Sequence, residues 1–217
     1  MLSKKGLKSI LRKWPLSCII GILIIIISWV SVIISVSLAP PPFSPLNNYL
    51  SSLGNSSYNP KGAIIYNTSV IVSGILFIVF FIGLFLWHTD ESLNKIILIT
   101  IQIVGCLLAI VLILTGVFSE DFKQPHVFWS IIAGILGFLV NLFLAVFLFR
   151  QKESLKKVSY SIFILMGLYI ILLFILSPQH VLTEWVVRIV GDINLVLMIY
   201  NLKYINQVRF NQQVDKV

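Results

Sequence analysis

Glu184, Arg188 and Asp192 interrupt an apolar stretch near the C-terminus. Their spacing, i, i+4, i+8, puts all three on one face of a helix. Two carboxylates flanking a guanidinium can form an ion-pair ladder, or they can line a polar pocket in which Arg188 meets an anionic group. A second group of ionisable residues, Glu120, Asp121, Lys123 and His126, follows another apolar run. His126 could act as a general base. His180 and Glu184 are four residues apart, and Asp121 or His126 could complete a set of zinc ligands with an open position for water.

The segments that must position these groups are long and apolar. The chain is 58% hydrophobic and 11% charged, with a mean hydropathy of +0.99. A membrane-spanning helix needs about 20 apolar residues. Six such runs are legible: Ser17–Leu38, Ala63–Trp87, Asn94–Phe118, Val127–Phe149, Lys157–Leu176 and Val181–Tyr204. Lipid supplies no hydrogen-bond partners, so each run satisfies its own backbone as a helix. These runs are continuous rather than alternating, which excludes barrel strands. The expected architecture is all-α: one polytopic domain, a six-helix membrane bundle, with nothing left over for a soluble domain. The first run is longer than a signal-peptide core and is followed by Pro40, Pro41 and Pro42, so it is read as an uncleaved helix.

Basic residues set the expected orientation. The N-terminal tail, the second and fourth loops and the C-terminal end hold thirteen Lys and Arg, against three on the other side (Lys61, Lys123 and Arg188). Positive loops stay inside, so both termini are expected in the cytoplasm of a cell-membrane protein. The net charge of +8 is thus a topology signal; the basic residues are scattered over several loops, and no nucleic-acid partner is implied. Trp14, Trp87, Trp129 and Trp185 fall near span ends, as interfacial belts predict, while Trp29 is mid-helix. Cys18 and Cys106 read as packing residues, and no cofactor is implied.

On this topology the ionisable groups collect on the outer side. Asp192 lies about 10–15 Å below the outer boundary at 1.5 Å per residue. An isolated charge there costs at least about 2.5–3.5 kcal/mol, so it should face the bundle interior and have a partner. Arg188 is that partner, with Glu184 one turn further out. Asn67, Ser69 and Ser73 in the second run and Thr115 in the third can reach the same region. Gln102 and Asn141, at similar depth in the inner half, are expected to hydrogen-bond across helices. In the first loop, Ser44-Pro45 is a helix-start signal and Gly54 a stop. Leu46, Tyr49, Leu50 and Leu53 recur at i, i+3, i+4, i+7, which predicts a short outer amphipathic helix. A weak repeat relates Glu91-Ser92-Leu93-Asn94-Lys95 with Gly105 to Glu153-Ser154-Leu155-Lys156-Lys157 with Gly167.

Known catalytic patterns are missing: no His-Glu-x-x-His, no Gly-x-Ser-x-Gly and no Walker loop occurs. Gly191-Asp192 lacks the further residues of an intramembrane aspartyl protease.

Tyr49-Leu50-Ser51-Ser52-Leu53-Gly54, Asn59-Pro60, Asn67 with Gly74, Thr115-Gly116-Val117-Phe118 with Asp121 and His126, and then Glu184 together resemble the six-pass membrane family called domain of unknown function 998. The likeness runs from about the first to the sixth span, and Gly116-x-Phe118-x-x-Asp121 with His126 is its most specific part. Ser119 departs from it, where a proline is expected in many members. The family is similar, more remotely, to the Frag/Dram/Sfk group, linked to membrane-lipid handling. The resemblance implies the six-helix fold and brings no assigned reaction.

The leading expectation is an outer pocket for a lipid head group or a small polar ligand, formed by Arg188, Asp192, Glu184, Asp121, His126 and Asn67. Two rivals stand beside it. One is a lipid hydrolase or transferase using His126, Asp121 and Glu184. The other is a small transporter with Asp192 as coupling site. Membrane lipids are the expected surroundings in each case.

Overall fold

A computed structural model describes residues 14–176 and 180–214. Every regular element among them is helical. The long helices are α1 (Leu16–Leu38), α2 (Ala63–Ile82), α3 (Ser92–Val117), α4 (Gln124–Arg150), α5 (Lys156–Leu176) and α6 (Val181–Val214). Short 3-10 turns cover Ser51–Gly54, Gly83–Trp87 and Glu120–Phe122. Among the described residues, five helices are long and apolar enough to cross a membrane: Leu16–Leu38, Ala63–Trp87, Ser92–Val117, Gln124–Arg150 and Lys156–Ile175. The protein is therefore a multi-pass membrane protein. α6 differs. Its 34 residues make a rod of about 50 Å, longer than the hydrocarbon layer, and its first half carries the three charges. It also continues ten residues past the expected end at Tyr204.

The helices pack in chain order and α6 closes the ring on α1. The α2–α3 contact is the most extensive, and the α1–α6 and α5–α6 contacts are among the thinnest between long helices. The main core lies toward the chain termini, built from residues such as Ile24, Phe80, Leu144, Ile162 and Leu202. Toward the other end, here the loop end, no residue of α4 before Val140 is buried, nor any described side chain of α5 after Met166. A second, smaller core of Val32, Leu50, Leu53 and Trp185 sits under the first loop.

That loop corrects one expectation. The amphipathic helix from Pro45 to Leu53 is absent, and only Ser51–Gly54 is helical. The start signal does form: Ser44 Oγ accepts from Leu46 N at 3.2 Å. The Asn48 side chain then folds back onto Ser44 N at 3.0 Å and closes a turn where a helix would have continued. Leu50 and Leu53 still reach the core, through the 3-10 turn. Trp87 departs too: it is fully buried and stacks on Phe147 at 5.7 Å, not in an interfacial belt. Gln102 and Asn141 do not pair. Gln102 Nε2 donates to the Phe81 and Ile82 carbonyls at 3.3 and 3.0 Å, and Asn141 Nδ2 donates to Gly137 O at 2.8 Å. A carbonyl freed where α2 tightens into its 3-10 turn takes the amide instead of the side chain on the neighbouring α4.

Candidate functional site

The charges on α6 divide into two groups with different partners. Arg188 and Asp192 form the expected ion pair, Nε to Oδ2 at 2.8 Å, with side chains 25% and 19% exposed. α1 completes the cluster. Trp29 Nε1 donates to the same Asp192 oxygen at 2.8 Å, the guanidinium lies 5.7 Å from the Trp29 ring centroid, and Arg188 Nη2 donates to Ser28 Oγ. Ser28 in turn donates to Ile24 O at 2.7 Å. Midway along α1, a helix of spanning length, each donor and acceptor needs such a partner. Asp192 Oδ1 accepts no hydrogen bond among the described residues. Beside it a cleft of about 250 Å³ is lined by Trp29, Ile189, Asp192, Ile193, Val196 and Leu197. Its accessible walls are almost wholly apolar.

Glu184 does not extend the ladder. It accepts from Ser51 N at 2.9 Å and Ser51 Oγ at 3.0 Å. Both are unmet donors at the start of the 3-10 turn, where a carboxylate is favoured. One residue on, Trp185 Nε1 donates to Asn48 O at 3.0 Å. The top of α6 is thus fastened to the first loop rather than to Arg188.

The third loop holds the other side of the first loop. Asp121 Oδ1 accepts from Ser56 N at 2.8 Å and Ser56 Oγ at 3.0 Å, and its Oδ2 from Ser119 Oγ at 3.1 Å. His126 Nδ1 lies 2.9 Å from Phe118 O. A carbonyl only accepts, so Nδ1 carries a proton. Ser119, where proline was expected, opens the tight turn that ends at Lys123, whose φ of 30° is left-handed. Glu120 is half-buried, with Oε1 3.5 Å from Ser52 Oγ and a buried, unpartnered Oε2. Burial pushes the Glu120 carboxyl above its ordinary range and the charge of Glu184 adds to this, while His126, Ser52 and Asn55 oppose it. Tyr66 lies within electrostatic reach of Glu184, Arg188 and Glu120.

Asn67 is a fastening too. Its Nδ2 donates to Gly54 O at 2.9 Å, and a side chain at Gly54 would overlap the Asn67 amide. Fully buried Asn59 bonds the Ser35 and Leu53 carbonyls at 3.1 and 3.2 Å.

The predicted site residues therefore fall into two places. Glu184, Asp121, His126 and Asn67 hold loops together at the loop end. Arg188 and Asp192 form a separate cluster with Ser28 and Trp29 at the α1–α6 seam. No group of three possible metal ligands occurs among the described residues, and the set His180, Glu184, His126 and Asp121 is not assembled. His180 is exposed and accepts from Leu182 N at 3.2 Å. Sequence reasoning missed Ser28 and Tyr66, and Ser51 entered only through the family resemblance. The signal at hand for Ser28 was a serine beside a mid-span tryptophan.

The family model described as "Protein of unknown function (DUF998)" matches residues 22–199. The chain belongs to this family. The matched stretch encloses both clusters, from Ser28 and Trp29 through the loop fastenings to Asp192. No curated protein and no solved structure matches the chain.

Proposed function

We propose that this protein crosses the cell membrane six times with both termini in the cytoplasm, α6 being the sixth span. Its outward half binds the polar end of a lipid or small amphiphile at the α1–α6 seam. The thirteen-to-three distribution of Lys and Arg supports the orientation. The observation that carries the binding reading is the cleft beside Asp192, apolar on its accessible walls and bordered by a carboxylate whose Oδ1 accepts no hydrogen bond among the described residues. Such a shape suits an alkyl chain carrying one polar group.

Arg188 was expected to be the anion partner. Its charge is already matched by Asp192 and its Nη2 is engaged by Ser28. The group that fits beside Asp192 is therefore a donor, a hydroxyl or an amine, and not a phosphate.

The test uses the full chain in lipid nanodiscs with dodecanol, dodecylamine and dodecyl phosphate as probes. The alcohol and the amine raise the melting temperature of the wild type, the phosphate does not, and Asp192→Asn loses the response. A phosphate that stabilises most, or an Asp192→Asn variant that responds like wild type, overturns the assignment.

A further inference from the structure

The opposite end of the same seam carries a second feature. Lys203 of α6 places its ammonium 3.7 Å from the ring centroid of Trp14, just ahead of α1. The ion pairs among the described residues are Arg150–Glu91, Arg188–Asp192 and Arg209–Glu153, so Lys203 has no carboxylate partner there. An indole face attracts the cation and fixes its position but leaves its charge unneutralised. Below Trp14, a groove of about 230 Å³ is lined by Trp14, Ile19, Ile22 and Leu23. Ile22 and Leu23 are 37% and 42% exposed, so the groove opens sideways, where lipid lies.

From these observations we infer a binding site for an anionic phospholipid in the leaflet on the terminal side. One acyl chain lies along Ile19, Ile22 and Leu23, and the phosphate meets the Lys203 ammonium above Trp14. A fixed cation with no carboxylate partner among the described residues draws an anion, and the apolar groove, which shares Trp14 with it, accepts a hydrocarbon chain. A phospholipid supplies both in one molecule; a free phosphate would leave the groove unused. The site is independent of the Asp192 cleft, because Lys203 lies eleven residues further along α6, roughly 16 Å away on the helix rise.

Native mass spectrometry of the full chain tests this, after delipidation and titration with dioctanoyl phosphatidylglycerol, dioctanoyl phosphatidylcholine or inorganic phosphate. Wild type retains phosphatidylglycerol about fivefold over phosphatidylcholine, the scale expected for one basic residue at a membrane surface. Lys203→Gln removes the preference and Lys203→Arg keeps it. Ile22→Trp, which fills the groove but leaves the cation in place, weakens retention of phosphatidylglycerol, so the result does not depend on one variant folding. Equal retention of the two lipids by wild type, or an unchanged preference in Lys203→Gln, overturns the inference. Displacement of phosphatidylglycerol by millimolar inorganic phosphate overturns it in favour of a free-anion site.

Discussion

The α2–α3 and α4–α5 hairpins begin their second helices with related sequences, yet they pack differently. At the turn they behave alike. Glu91 pairs with Arg150 at 2.7 Å and Glu153 with Arg209 at 2.6 Å, each glutamate lying just ahead of a helix and receiving an arginine from a later one. Inside the bundle they diverge. A Cβ at Gly105 would press into the Phe81 ring, and one at Gly74 would meet Ala109 O and Ile113. At Gly134, Gly137 and Gly167 an added Cβ would meet nothing within 4 Å. One hairpin uses glycine for close helix approach; the other has the same residue facing open space. Where helix packing is thin, polar ties take over. α6 is held through Glu184 to Ser51, Arg188 to Ser28, Asn201 to Leu155 N, and Arg209 to the Leu86 and His88 carbonyls. In the proposed function the closed part is scaffold and the seam beside α6 admits the ligand.

Substitutions can break or sharpen this contrast. The largest loss is expected when the seam pair is split. Asp192→Ala leaves Arg188 half-buried and unpaired, and reversible unfolding in mixed micelles should show a loss of about 2–4 kcal/mol, allowing for the partial exposure of the pair. Next come the glycines. Gly105→Ala should cost about 1–3 kcal/mol through overpacking against Phe81. Gly167→Ala should cost nothing and gain up to about 1 kcal/mol in helix propensity. Equal effects at the two positions would remove the distinction between the hairpins. Smaller is the difference between the two turn pairs. Arg209→Ala should cost about 1–2 kcal/mol because two carbonyls and Glu153 lose their donor. Arg150→Ala, at a more exposed pair, should cost under about 1 kcal/mol and less still in high salt. The smallest effect is a pH dependence at Glu120. Its carboxyl titrates above the ordinary glutamate value of 4.5 in the folded protein. The protonated form is therefore favoured by folding. That contribution is complete below the unfolded value and is lost as pH rises through the folded value. Glu120→Gln should flatten the melting-temperature profile over that window and raise stability at neutral pH.

Much of the fold was legible because lipid imposes one rule on every segment. Five of the expected runs coincide with helices of spanning length, with ends displaced by a few residues. The charged α6 was recognised as a helix, but its extension to Val214 was not, since Arg209 is anchored by carbonyls that sequence cannot place nearby. The Arg188–Asp192 pair was readable from spacing alone. The fate of Glu184 was not: helical spacing pointed to Arg188, while the donors that take it come from Ser51, remote in the chain. Asp121, Asn67 and His126 were singled out as site residues, and in the structure each bonds a backbone group. A residue that fastens a loop and one that contacts a ligand leave the same mark on a sequence.

The central claim is that Arg188 and Asp192 serve a binding cleft and are not merely a structural ladder. The double variant Arg188→Met with Asp192→Leu separates the two roles, because replacing both partners by apolar groups of similar size leaves no buried charge unpaired. Dodecylamine binding and melting temperature should be measured together on that variant in nanodiscs. The account predicts a melting temperature near wild type with binding lost. A double variant that still binds dodecylamine like wild type, or that fails to fold, contradicts it.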